Sequence, residues 1–276
     1  MMQNYTLHTH TVGFDGRNAV MEMVNRAREL GLKTIGISNH FIVHPHIKKS
    51  RAYNYAIRGG YSNMYSTSFQ EVIQRFLNNY SVIECARSVK PDINVLFGME
   101  VDFFDDSRWQ NNFQKTMKIL RPDYIIGAKH FVEHGGKILN VHDLKTADAE
   151  TQEILLKKYW QGVARAAESG LFDWMAHLDL PKKVGLGREE KWAEYESRAV
   201  ENVAASKTAV EINTSFYRPD YYEPYPSNRI LKMVAKNNVP VLISDDAHRV
   251  ADIARHFDEA EEIISKMNLQ RFEKIK

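Results

Sequence analysis

Cysteine is almost missing from this chain: Cys85 is the only one in 276 residues. That excludes an internal disulfide and any thiolate-rich zinc site. No apolar run approaches the ~18 residues that a membrane span needs. Charge of one sign is missing too. Lys and Arg number 37 against 35 Asp and Glu, a net charge of +2, so no strong field draws the chain to nucleic acid or anionic lipid. There is no low-complexity tract, fixed-period repeat or Pro/Gly linker. The first five residues carry neither a basic n-region nor an apolar h-region, so no signal peptide is expected. Phosphate-cradling and dinucleotide-binding glycine motifs are absent, as is a Gly-x-Ser-x-Gly elbow. A cytoplasmic protein with no membrane or nucleic-acid partner is expected.

Hydrophobic residues make up 43% of the chain, which is ordinary for a globular protein. Seven short runs of apolar and β-branched residues stand out: 5–9, 34–38, 94–99, 123–128, 172–176, 209–213 and 240–244. Each reads as a strand buried on both faces. Amphipathic stretches lie between them at 18–30, 151–169, 192–205 and 229–236, and another at 250–267 closes the chain. Strand after strand followed by helix predicts a parallel α/β architecture. A (β/α)7 barrel, distorted and TIM-like, is expected as a single domain over residues 1–276. Residues 44–80 are too long for a plain connection and read as an insertion after the second strand, lying over the barrel as a lid.

The strand ends carry the chemistry. The first run ends in His8-Thr9-His10, with Asp15 in the loop beyond. The second leads to His40, the third to Glu100, the fourth to His130 and the fifth to His177. The sixth ends at Asn213, and the seventh runs into Asp245-Asp246-Ala247-His248. In a parallel barrel all strand C-termini meet at one face. A lone strand-end histidine is commonly a hydrogen-bonded structural residue. Nine imidazoles and carboxylates from around one ring are different, because unpaired in a protein interior they would be costly. Imidazole and carboxylate together suit zinc, manganese or iron. Nine groups exceed what one ion takes, so two or three divalent ions are expected. Such clusters clamp a phosphoryl group and generate hydroxide near neutral pH. His44, His46, His134, His142 and His256 lack this placement and read as surface or loop residues. Lys129 neighbours His130, but alternation points it away. Cys85 falls in a helical stretch and is no candidate nucleophile.

These motifs have a family resemblance. His8-Thr9-His10, Ser38-Asn39-His40, Gly98-Met99-Glu100, Gly127-Ala128-Lys129-His130, His177-Leu178-Asp179 and Ser244-Asp245-Asp246-Ala247-His248 resemble, in order, the motifs of the PHP family of metal-dependent phosphoesterases. The stretch 211–215 with Arg218, the stretch 225–227, and 123–127 leading into 130–132 resemble the histidinol-phosphatase branch. The resemblance implies hydrolysis of L-histidinol phosphate to L-histidinol and phosphate, a step of histidine biosynthesis. It also implies a ligand set. His8, His10, Glu100 and Asp246 would hold one ion. Glu100 would bridge to a second, held with His130 and His177. Asp15, His40 and His248 would hold a third. Two positions depart from the family pattern: Asn39 stands where Asp is frequent, and Asp15 where many members have His.

Arg218, just past the sixth strand, is placed to grip a phosphate bidentately, and Asp246 to protonate the leaving alkoxide. Other readings are a phosphoesterase for a nucleotide or sugar phosphate, and a non-catalytic metal-binding accessory module. The near-neutral charge and the absence of a further domain weigh against the last.

Overall fold

The structure is a computed structural model that describes residues 3–217 and 222–273. Seven parallel strands form the barrel: β1 Tyr5–Thr6, β2 Thr34–Ile37, β3 Asn94–Asp102, β4 Tyr124–Ala128, β5 Trp174–Met175, β6 Ala209–Asn213 and β7 Val241–Ser244. They neighbour one another in chain order. All seven expected strands are present, and the sheet is nearly closed, since residues just past β1 meet residues just past β7. There the His10 N–H donates to Ala247 O at 2.8 Å, and the Ala247 N–H to His8 O at 3.1 Å. Lower down, the Gln3 side chain substitutes for a strand. Its Oε1 accepts from the Ile243 N–H at 2.8 Å and its Nε2 donates to Ile243 O at 2.6 Å.

The longest strand organises the site. Thr34–Ile37 pairs with residues 94–97 of β3, and a second short strand, His40–Val43, resumes the pairing at the same offset, so that His40 lies opposite Glu100. The Glu100 N–H spans the break between them, donating to both Ser38 O and Asn39 O at 3.2 Å.

Inside the barrel, Leu7, Leu96, Tyr124, Ile126, Trp174 and Leu242 form a core distinct from the larger one under the helices. Tyr124 stacks on Trp174 with ring centroids 4.9 Å apart, and its hydroxyl donates to Leu7 O at 2.6 Å. Gly36 and Gly98 make that possible, because a Cβ at either would sit about 2 Å from the tyrosine ring or its hydroxyl.

Helices Val20–Glu29, Phe69–Val89, Ala149–Glu168, Ala193–Ala205 and Asn228–Lys236 pack their apolar stripes outside the barrel. Three segments differ from expectation. The last helix begins at Phe257, not 250. Positive φ at Ala254 and His256 interrupts the chain just before it. Helix Ser107–Leu120, with the buried stripe Trp109, Phe113, Thr116 and Leu120, was not foreseen. Neither was the antiparallel pair Phe131–His134 and Lys137–Asn140. The turn between them has positive φ at both Gly135 and Gly136, the signature of a tight hairpin. No helix among the described residues is long and apolar enough to cross a membrane.

Candidate metal centre

All nine strand-end side chains meet at the upper face. His10 Nε2 lies 3.1 Å from Asp246 Oδ1 and 3.6 Å from Glu100 Oε2. His8 Nε2 is 3.5 Å from Glu100 Oε2. The other Glu100 oxygen faces His177 Nε2 at 2.9 Å and His130 Nε2 at 3.5 Å. Asp15 Oδ2 is 3.2 Å from His40 Nε2 and 3.1 Å from His248 Nε2. Three groups of potential ligand atoms are compact enough for an ion: His8, His10 and Asp246; His10, Asp15, His40 and His248; and His40, Glu100 and His130. The grouping differs from the expected set: Glu100 is absent from the group of His8, and His177 belongs to none of the three. His10 faces two groups. His40 joins the one around Glu100, with its Nδ1 2.7 Å from Glu100 Oε2.

Hydrogen bonds fix which ring nitrogens face the centre. A carboxylate or carbonyl oxygen can only accept. His8 Nδ1–H therefore donates to Glu211 Oε2 (2.9 Å), His130 Nδ1–H to Asp102 Oδ2 (2.9 Å) and His248 Nδ1–H to Asp246 O (2.9 Å). In His8 and His130 this leaves the Nε2 lone pair aimed at the centre, the arrangement that metal-ligating histidines adopt, whereas His248 also meets an acceptor at Nε2, Asp15 Oδ2 at 3.1 Å. Seven buried atoms here have no hydrogen-bond partner among the described residues: His8 Nε2, both His10 nitrogens, Asp15 Oδ1, His40 Nδ1, Glu100 Oε2 and His177 Nδ1. Orphaned donors of this type, converging on shared space, fit divalent cations with nitrogen and oxygen ligands.

Electrostatics agrees. Burial alone would neutralise the three carboxylates. Histidines outweigh it, holding Glu100, Asp15 and Asp246 well below the ordinary carboxylate range. Burial also pushes His8 and His40 down, yet Glu211, Asp246 and Glu100 around His8, and Glu100 and Asp15 around His40, raise both well above normal. His10 behaves oppositely. Burial, then His248 and His40, lower it to about 4.

Local backbone positions these groups. Gly16 packs so closely under the first strand end that a Cβ would lie 2.4 Å from the His10 carbonyl, which brings the Asp15 loop over His10. Asn39 holds the same loop, accepting from the Thr11 N–H at 2.8 Å and donating to Thr11 Oγ1 at 2.9 Å. His177 and Asp246 take positive φ without being glycine, local strain of the kind that collects at functional sites.

The remaining expectations divide. Lys129 does point away, its ammonium donating to Phe103 O at 2.8 Å. Cys85 is exposed on helix Phe69–Val89. Arg218 lies outside the described residues. His44 is a loop residue, just past strand His40–Val43, but a buried one: it is 8% exposed, packs near Phe104 and bonds Glu133 at 3.0 Å. Glu211 and Asp102 were missed as site residues. A charged residue inside each buried strand was the available signal.

Six of the nine, Asp15, His40, His130, His177, Asp246 and His248, line a cavity of about 730 Å³, with His8, His10 and Glu100 buried behind them. Its other walls come from two excursions, residues 51–65 and residues 140–143. Arg51 joins them, its Nε 3.6 Å from Asp143 Oδ1.

Comparison with known proteins places this centre. Residues 4–215 match the family model described as the PHP domain. A Deinococcus radiodurans protein named "Probable histidinol-phosphatase" is 30% identical over 172 residues, which span 61% of this chain and 63% of that relative's length. A Lactococcus lactis histidinol phosphate phosphatase, solved with zinc, L-histidinol and phosphate, superposes with a TM-score of 0.69 at 16% identity, covering 99% of this chain and 96% of the other. A structure from work on YwqE of Bacillus subtilis and CpsB of Streptococcus pneumoniae, metal-dependent tyrosine phosphatases, gives a TM-score of 0.51 at 15% identity over 95% of this chain and 86% of that one. With a family model matched over three quarters of its length and the motif histidines gathered at one barrel mouth, this chain belongs to the PHP domain family.

Proposed function

We propose that this protein is a metal-dependent phosphomonoesterase that hydrolyses L-histidinol phosphate to L-histidinol and phosphate. One observation carries the reaction class: nine imidazole and carboxylate side chains, several with orphaned buried atoms, cluster at one barrel mouth, and six of them line a cavity of about 730 Å³. The names of the Deinococcus and Lactococcus proteins support the choice of ester.

Two or three divalent ions, zinc, iron or manganese, would be held by His8, His10, Asp15, His40, Glu100, His130, His177, Asp246 and His248. Bound there, they would supply Lewis-acid polarisation of the phosphate oxygens and a nucleophile drawn from water. The protein's own groups do the rest. Glu211 and Asp102 fix the His8 and His130 rings. Glu100 presents one oxygen to His177 and His130, and the other to His8, His10 and His40, so its carboxylate is the natural bridge. Arg218 is proposed to grip the phosphate. Arg51, Arg58 and Lys183 add positive charge to the cavity wall, which favours a dianionic ester. The segment at 44–80 acts as the lid over this cavity, and the enzyme works in the cytoplasm.

The deciding experiment is phosphate release by metal-loaded protein from histidinol phosphate, set against nucleotide, sugar and tyrosyl phosphates. Preference for histidinol phosphate by at least tenfold in kcat/KM is expected. Equal or better turnover of another ester overturns the substrate. No release from any ester, with metal bound, overturns the reaction.

A further inference from the structure

A second cavity, of about 600 Å³, lies beside the metal pocket. Residues 12–17 form one wall, and the end of helix Arg51–Gly59 with residues 60 and 61 forms the other. Asp15, Tyr55, Arg58 and Tyr61 line both cavities. The two spaces are therefore adjoining chambers with shared walls. Arg17 lines only the second.

The charge in this annex is one-sided. Two guanidiniums, Arg17 and Arg58, line it, and among the described residues no carboxylate pairs with either within 4.0 Å. Asp15, the one acid of the lining, is already engaged by His40 and His248. Tyr55 and Tyr61, with ring centroids 6.4 Å apart, add phenolic donors. Gly13 and Gly60 leave the rim open, since a Cβ at either would meet nothing within 4 Å. Guanidiniums with free donors in a partly enclosed space favour a phosphate-type anion over water.

We propose that the annex is a second anion site, holding a phosphate group beside the one at the metal centre, with Arg17 and Arg58 as its cationic contacts. Two sources share that chemistry. One is inorganic phosphate leaving the metal centre. The other is the distal phosphate of a bisphosphate ester whose scissile phosphate sits at the centre. Only the choice of source rests on the phosphatase reading; the anion site itself does not.

Equilibrium dialysis of labelled inorganic phosphate against metal-loaded protein tests the site. Wild type should bind two phosphates per chain. In Arg17→Ala the second should weaken at least tenfold, with kcat/KM for a monophosphate changed less than about twofold. Among the described residues the Arg17 side chain makes no hydrogen bond or ion pair, while its backbone N–H donates to His248 O, so the substitution leaves that link intact. Steady-state kinetics then separate the sources. If the anion is product, Arg17→Ala alters inhibition by added phosphate at least tenfold, and a sugar bisphosphate is cleaved no better than its monophosphate. If the anion belongs to substrate, wild type prefers the bisphosphate at least tenfold, and Arg17→Ala erases the preference. One phosphate per wild-type chain that Arg17→Ala binds as tightly, or two retained in both Arg17→Ala and Arg58→Ala, overturns the annex. Two phosphates bound with no monoester cleaved overturns the phosphatase reading and leaves the annex standing.

Discussion

At the lower end of the barrel the last strand has its backbone groups taken up: Gln3 brackets Ile243, while Gln270 O accepts from the Val241 N–H and Val241 O from the Phe272 N–H, each at 2.8 Å. At the upper end, a few residues along the same strands, seven buried nitrogen and oxygen atoms have no hydrogen-bond partner among the described residues. Away from the upper face the orphaned atoms are scattered, as at Trp174 Nε1. The upper half is complete only with a ligand. Folding free energy and function are thus separated along the strand direction, as is usual where catalytic groups come from strand C-termini. The interior core of Leu96, Tyr124 and Trp174 lies between the two ends.

The largest expected effect is at the upper end. Glu100 is 1% exposed and faces five histidines, so Glu100→Gln removes the one carboxylate that touches both sides of the centre. Activity towards histidinol phosphate should fall by roughly 10³-fold, on the scale of losing a preorganised electrostatic group. His40→Ala should cost less, and metal content should drop in both. A Glu100→Gln effect no larger than that of His40→Ala denies the bridge.

The complementary change is in the core beneath. Leu96 is 7% exposed within the barrel interior. Leu96→Ala should cost about 3 kcal/mol of stability, read by thermal or urea unfolding of the metal-loaded protein. Specific activity of the folded fraction should stay near normal. Loss of activity in proportion to stability would show that the two ends are coupled.

A subtler probe is Glu211, which orients His8 and receives the His177 N–H at 3.2 Å and the Asn213 amide at 2.7 Å. Glu211→Gln should weaken the most loosely held ion by roughly 10–100-fold, the usual cost of removing a partner that orients a metal-bound histidine. Titration with a competing chelator reads it. Unchanged affinity would mean that the His8 ring is held by packing alone.

The sequence made the upper end legible before the lower. Ligand-type side chains are rare in buried strands, so histidines at strand ends are conspicuous, and all nine converge. Glu211 and Asp102 went unread because orienting partners lie within strands, where periodicity reports burial and not contact. Which histidine faces which carboxylate was also hidden. It depends on His40–Val43 rejoining the sheet opposite Glu100, a pairing register that strand propensity does not encode. Strand-helix alternation was read so strongly that the Gly135-Gly136 hairpin signal was passed over.

The smallest expected effect tests whether ionised buried carboxylates belong only to the metal end. Glu196, on helix Ala193–Ala205, is fully buried like Glu100 but is paired with a single cation, Arg229. Burial outweighs that guanidinium, so its carboxyl is raised from 4.5 to about 7. Between those values the folded chain holds a proton that the unfolded chain releases. Stability must therefore fall as pH rises through this window, from a full contribution below about 4.5. The loss should be on the order of 2–3 kcal/mol by pH 8, since a rise of about 2.5 units at ~1.4 kcal/mol each is trimmed by solvent screening. Glu196→Gln carries no titrating proton, yet keeps the metal site and its own pH response. Subtracting its melting curve from that of wild type isolates the glutamate. The difference should shift against wild type by about 4 °C between pH 5 and pH 8. A difference that stays flat, or that grows in favour of wild type with rising pH, would mean that Arg229 keeps Glu196 ionised. A single guanidinium would then do for this carboxylate what five histidines do for Glu100.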